Sequence, residues 1–302
     1  MKKVRLIYIL PLLLGTLSSC SDVWDEKTNN EWEPKYIWTV SEVAPGVLNN
    51  AYRAIPNRPD NYGNNFLDAA TDNALTSLYS SSVYKLTTGK YSAIDNPLGI
   101  WSTCYQLQYI NSFLENGLGD ETKYDKIDAD KDAAYKKRLK GEAYFLRAYN
   151  YFCLSRNFGL VPMHYGVVET LSQTGTPLAN NMDEIYDLMI DDCKKAEELL
   201  PVYAAPIMGR IDRVGAQALL AKIYLYAASA KANNVPLYKE MAKDVNSLYQ
   251  DAVTYAGRAL GLDPDYPQNT YGFESDLLKI YDVENFAGKE NIFLMSMDRT
   301  GE

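Results

Sequence analysis

Few residues in this 302-residue chain are equipped for chemistry. Asp191-Asp192 and Glu197-Glu198 are two close pairs of carboxylates, and glycoside hydrolysis needs two carboxyl groups facing each other about 5–10 Å apart. Neighbouring helix residues point in different directions, and Lys194 and Lys195 are interleaved, so the stretch reads as a solvated charged face. His164 is the single histidine. It follows the turn Phe158-Gly159-Leu160-Val161-Pro162 with no other His or Cys nearby, which reads as a hydrogen-bonded loop residue rather than a metal ligand. Asp60, Asp68, Asp72 and Asp95 lack the spacing of a calcium loop. Arg147 and Arg156 project from an otherwise apolar stretch and read as paired structural cations. No catalytic residue, metal site or cofactor is assigned, and the chain is not expected to be an enzyme.

Composition narrows the partners. Thirty basic residues against 39 acidic ones give a net charge of -9, which argues against a nucleic-acid binder and for neutral partners. Twenty-five tyrosines against eight phenylalanines favour half-buried helix seams and binding surfaces, because each tyrosine hydroxyl must stay wet or find a partner. With 47% hydrophobic residues there is material for a large core.

The N-terminus reads as an address. Lys2, Lys3 and Arg5 precede an apolar run from Leu6 to Leu14, and small residues follow up to Cys20. A bilayer-spanning helix needs about 20 apolar residues, so residues 1–19 are expected to be a signal peptide. Leu17-Ser18-Ser19-Cys20 resembles a bacterial lipobox, with Cys20 lipidated and first in the mature chain. Residues 20–40, polar and acidic at their start, read as a tether. Cys104, Cys153 and Cys193 are widely spaced and odd in number, and imply no disulfide framework.

The elements that would position any site are helices. From Tyr135 to Arg156 apolar residues occupy two stripes, so that helix must be enclosed, and Gly159 ends it. From Asp183 to Leu200 the apolar pattern is one-sided, and Pro201 stops it. A second pair repeats the first. Ala218-Leu219-Leu220-Ala221-Lys222-Ile223-Tyr224-Leu225-Tyr226 matches Ala143 to Tyr151 at an offset of 75, keeping the basic residue and both tyrosines; Tyr249, Ala252 and Ala259 lie 63 positions after Tyr186, Met189 and Ala196. Ala252, Tyr255, Ala259, Leu260 and Pro264 resemble the second helix of a tetratricopeptide (TPR) repeat. The expected fold is mainly α: a TPR-like helical repeat of paired antiparallel helices with long irregular loops. Upstream, helices are expected over Trp101–Ser112, ending at Gly117, and more weakly over Ser41–Arg53. Between them residues 57–99, dense in Tyr, Asn, Ser, Gly and Pro, are too long for an ordinary connector and can carry function.

Lys140-Gly141-Glu142-Ala143-Tyr144-Phe145-Leu146-Arg147-Ala148-Tyr149, then Arg156-Asn157-Phe158-Gly159-Leu160-Val161-Pro162, resemble the SusD/RagB family of outer-membrane nutrient-binding lipoproteins. Trp101-x3-Tyr105-x4-Ile110-Asn111, Ile185-Tyr186 through Leu200-Pro201, and Gly209-Arg210 with Gly215 to Tyr226 extend the match over 41–302. The resemblance implies a SusD-like protein, lipid-anchored at the outer membrane and facing the cell surface. Such a protein captures an oligosaccharide or other nutrient and delivers it to a SusC-type TonB-dependent transporter, with no bond broken. It covers only the N-terminal portion of the family's usual length, and a shortened chain would leave apolar surface exposed. The family's ligand sites vary, so only a region carries over: Tyr79, Tyr84, Tyr91 and Asn96, just ahead of Trp101. There flat rings would stack on sugar faces and the amide would fix hydroxyls, although Trp101 also fits a core role. The alternatives are a TPR-type protein-interaction lipoprotein, whose groove takes a polypeptide, and an anchored glycosidase.

Overall fold

The computed structural model describes residues 43–53, 82–90, 104–119, 122–203, 209–285 and 287–294, with isolated positions at 37, 38, 40, 55, 71 and 92. The signal segment, Cys20, most of the tether, and Tyr79, Tyr91, Asn96 and Trp101 lie outside the described residues. The described helices are α1 (Val43–Arg53), α2 (Ser82–Thr87), α3 (Cys104–Asn116), α4 (Ala129–Phe158), α5 (Met182–Leu199), α6 (Arg213–Ala232) and α7 (Val245–Ala259). Among the described residues the sole β feature is an isolated bridge between Pro162 and Leu178. No described helix is long and apolar enough to cross a membrane.

Apart from α2, each described helix packs on the next along the chain, α1 on α3, α3 on α4, α4 on α5, α5 on α6 and α6 on α7. The pairing is antiparallel. Gly141 in the middle of α4 meets Leu200 at the end of α5, while Arg147 further along α4 reaches Asp192 further back along α5. Helix α4 is enclosed as its two apolar stripes require, burying Leu139, Ala143, Leu146, Tyr151 and Phe152. It begins at Ala129, well before the Tyr135 start that apolar period suggests. The extra turns are polar and are nucleated by Asp128, whose carboxylate accepts from the backbone N–H groups of Asp130 and Lys131, satisfying donors that a helix start leaves orphaned.

The repeat is visible down to its ends. Asn181 caps α5 by accepting from Glu184 N–H, and Asp244 caps α7 by accepting from Ser247 N–H, both pairs 63 positions apart. Helix α4 runs out at Gly159 with φ +73°, and 75 positions later Asn234 ends α6 with φ +56°. Glycine and asparagine are the residues that tolerate this left-handed backbone. Gly141 serves a different purpose. A Cβ there would stand 2.8 Å from Leu200 Cγ and 3.1 Å from Leu199 Cβ, so its missing side chain sets how closely α4 and α5 approach.

Candidate functional site

Of the five candidate ligand residues, Tyr84 lies within the described part. It sits half-buried on α2, a short helix among the described residues of the 57–99 excursion. Its carbonyl accepts from Thr88 N–H at 3.0 Å and from Thr88 Oγ1 at 2.8 Å, and Lys90 N–H reaches back to Lys85 O at 2.8 Å across Gly89 at φ +66°. This closure, with a left-handed glycine just past the last turn, is how a helix as short as α2 ends without orphaned carbonyls. It holds the Tyr84 backbone while leaving part of the side chain at the surface.

A second loop is fixed by amides. On α3, Gln108 brackets Val168, accepting from its N–H at 2.9 Å and donating to its carbonyl at 3.1 Å. Asn111 Nδ2 donates to the carbonyls of His164 and Gly166, and Glu115 accepts from Val167 N–H. Positions 108, 111 and 115 share one helix face, so residues 164–168 are strapped along α3. The strap presents Tyr165, which is exposed and donates its hydroxyl to Glu184 at 3.0 Å. Exposed Tyr109 occupies the neighbouring position on α3. His164 is the hydrogen-bonded loop histidine its context suggests, with Nδ1 3.2 Å from Thr176 Oγ1, and partial burial lowers its pKa. No group of His, Cys, Asp and Glu that could hold a metal occurs among the described residues.

The acidic stretch of α5 corrects the sequence reading. Asp191 and Glu198 are exposed, as a solvated face demands, but Asp192 and Glu197 are buried. Asp192 takes a bidentate pair from Arg147, 2.6 Å from Nε and 2.9 Å from Nη2, and Arg147 Nη1 donates to Asn111 at 3.0 Å. Burial works against both charges. For Arg147 the paired carboxylate more than offsets it and holds the guanidinium above its ordinary value; for Asp192 burial wins and the carboxyl is pushed up. The forked geometry is that of an ion pair. Glu197 accepts from Gln217 at 3.0 Å and faces Arg258 at 3.2 Å. Glu142, fully buried on α4, lies between Arg210 at 2.8 Å and Arg138 at 3.2 Å. The buried carboxylates are therefore committed to joining helices. Their i, i+1 neighbours look identical in sequence, and only the neighbouring helices decide which of each pair turns inward.

The helical frame matches known proteins. A model of the SusD-like class, described as starch-binding and associating with the outer membrane, matches residues 22–225. The chain belongs to the SusD-like family. A curated SusD-like protein of Formosa agariphila is 24% identical over 266 residues, covering 88% of this chain and 51% of that protein. A SusD-like protein of Bacteroides fragilis superposes with a TM-score of 0.65 at 23% identity, over 85% of this chain and 44% of its own. A laminarin-binding SusD-like protein superposes with a TM-score of 0.63 at 21% identity, over 84% of this chain and 50% of its own. These superpositions carry the mainly α, TPR-like fold. The SusD-like chain described here spans about half the length of the relatives it matches.

Proposed function

We propose that this protein is a surface glycan-capture lipoprotein, which binds an oligosaccharide without cleaving it and passes it to a SusC-type TonB-dependent transporter. The observation that carries this reading is the SusD-like match over residues 22–225, supported by a relative of the same fold that binds laminarin. In this reading residues 1–19 are removed, Cys20 carries the lipid, residues 20–40 form the tether, and 41–302 are the binding domain. Tyr84, with Tyr79, Tyr91, Asn96 and Trp101, contributes to the ligand surface, where rings exclude water from sugar faces.

Affinity electrophoresis of the purified protein through gels containing laminarin or other neutral glycans tests capture. Retarded migration is expected, and loss of retardation on Tyr84→Ala would tie the effect to α2. A folded protein that migrates identically in every glycan gel would sink the reading. Mass spectrometry of the mature protein tests the anchor: an acylated Cys20 at the N-terminus is expected, and an acyl-free terminus would refute it. Co-purification of a β-barrel transporter from outer membranes tests delivery.

A further inference from the structure

Tyr165 is an exposed side chain held at both ends. It is 57% exposed and packs into neither core cluster of the described residues. The backbone around it is nevertheless tied down. His164 N–H donates to the hydroxyl of buried Tyr151 at 2.8 Å. The carbonyls of His164 and Gly166 and the N–H groups of Val167 and Val168 are all taken by Asn111, Glu115 and Gln108 on α3. Asn111 is anchored in turn, because its Oδ1 accepts from Arg147, the buried partner of Asp192. The far end of the side chain is fixed as well. The Tyr165 hydroxyl donates to Glu184 Oε1 at 3.0 Å, and Glu184 Oε2 accepts from the backbone N–H and the side-chain amide of Asn180 at 2.8 and 3.0 Å.

This fixing has a use in binding. An exposed tyrosine that turns among rotamers must be ordered when a ligand packs on it, which weakens association; Tyr165 is ordered by folding. Its polar neighbours are brought to it by the chain. The bridge between Pro162 and Leu178, with Ala179 N–H donating to Val161 O at 2.9 Å, lays residues 178–180 beside the strap, and Asn180 is exposed there. An exposed ring, a carboxylate and an amide are thus joined by hydrogen bonds into one patch. The ring can exclude water from the apolar face of a sugar, and the carboxylate and amide can exchange hydrogen bonds with its hydroxyls. The Asn180 N–H bond holds the Glu184 carboxyl below its ordinary value, so Glu184 is charged at neutral pH and repels an anionic sugar.

We infer that Tyr165, Glu184 and Asn180 form a stacking subsite for a neutral pyranose unit of a glycan. That the ligand is a sugar rests on the capture reading above; its place and its lack of charge are argued from the pinned ring and the carboxylate beside it. The subsite lies outside the 57–99 excursion in sequence, on the loops that precede and enter α5.

Calorimetric titration of the full-length protein with three probes, laminarin and xyloglucan oligosaccharides and an oligogalacturonate, tests it. A neutral probe is expected to bind and the oligogalacturonate to bind more weakly or not at all. Tyr165→Ala should weaken the neutral probe by about fivefold or more. Tyr165→Phe, which keeps the ring and loses the bond to Glu184, should weaken it less, and Tyr281→Ala, which removes a ring exposed elsewhere, should leave it unchanged. Asn180→Ala should weaken it by about twofold or more, which keeps the test decisive if Tyr165→Ala fails to fold. Neutral binding that Tyr165→Ala and Asn180→Ala both preserve, a loss as large in Tyr165→Phe as in Tyr165→Ala, or tighter binding of the oligogalacturonate overturns the inference while capture stands. If no probe binds the unaltered protein, capture and subsite both fall.

Discussion

The Arg147–Asp192 pair sets the tightest energetic constraint on single residues. Truncating Asp192 to Ala would leave a mostly buried guanidinium with no counter-charge and only the Asn111 amide still accepting from it, a change that costs about 3–5 kcal/mol when a buried pair loses one member. Urea denaturation should show that loss. The double variant Arg147→Met with Asp192→Leu should recover most of it, since an apolar pair of similar volume avoids the desolvation; a double variant as unstable as Asp192→Ala would refute the account. Asp212 gives a pH signature. It caps α6 by accepting from Gly215 N–H and also accepts from the Tyr271 hydroxyl at 2.8 Å. Burial nevertheless raises its pKa above the ordinary value of 3.8. A carboxyl raised in the folded state contributes stability that is present below its unfolded pKa and lost as pH climbs through the folded one. The stability of the native protein relative to Asp212→Asn should therefore fall as pH is raised from about 3.8 toward neutrality; a difference that grew with pH would contradict the direction of the shift. Little of this was readable in sequence. Asp191 and Asp192 carry the same side chain one residue apart, and it took α3 and α4 to bury one of them.

At the scale of elements the sequence was far more legible, because helix periodicity and the 75- and 63-residue offsets are local properties. The end of α5 before Pro201 and the left-handed stop of α4 at Gly159 follow from a proline and a glycine. The start of α4 did not, since its first turns are polar and rest on the Asp128 cap rather than on apolar spacing. Gly159 allows a direct test. Its backbone, φ +73° and ψ -119°, lies where side chains are strained by about 1–3 kcal/mol, and a Cβ would stand 2.6 Å from Leu237 Cδ1. Gly159→Ala should lower the melting temperature accordingly, whereas Asn234→Gly, at the equivalent stop in α6, should shift stability by less than about 1 kcal/mol. Equal losses at both positions would refute the account of strain at Gly159.

Among the described residues, exposed apolar side chains cluster in the segment that follows α7. Phe273, Leu277, Leu278 and Tyr281 are between 69% and 79% exposed, and Leu260 and Leu262 are exposed as well. Such surface promotes association, so Leu277→Ser with Leu278→Ser should reduce concentration-dependent light scattering and change stability by less than about 0.5 kcal/mol. A large drop in melting temperature would mean that this surface is covered in solution. The buried pair has a consequence at this scale too. Two helical hairpins of one ancestral pattern, tied in a single chain, invite exchange, with α7 settling where α5 belongs. The residues standing where Arg147 and Asp192 would recur are Lys222 and Tyr255, and Tyr255 stacks on Tyr224 at 5.6 Å. A swapped hairpin would press a tyrosine against an arginine that has lost its counter-ion. In such an exchange the loss of the Arg147–Asp192 pair would make the wrong partner costly.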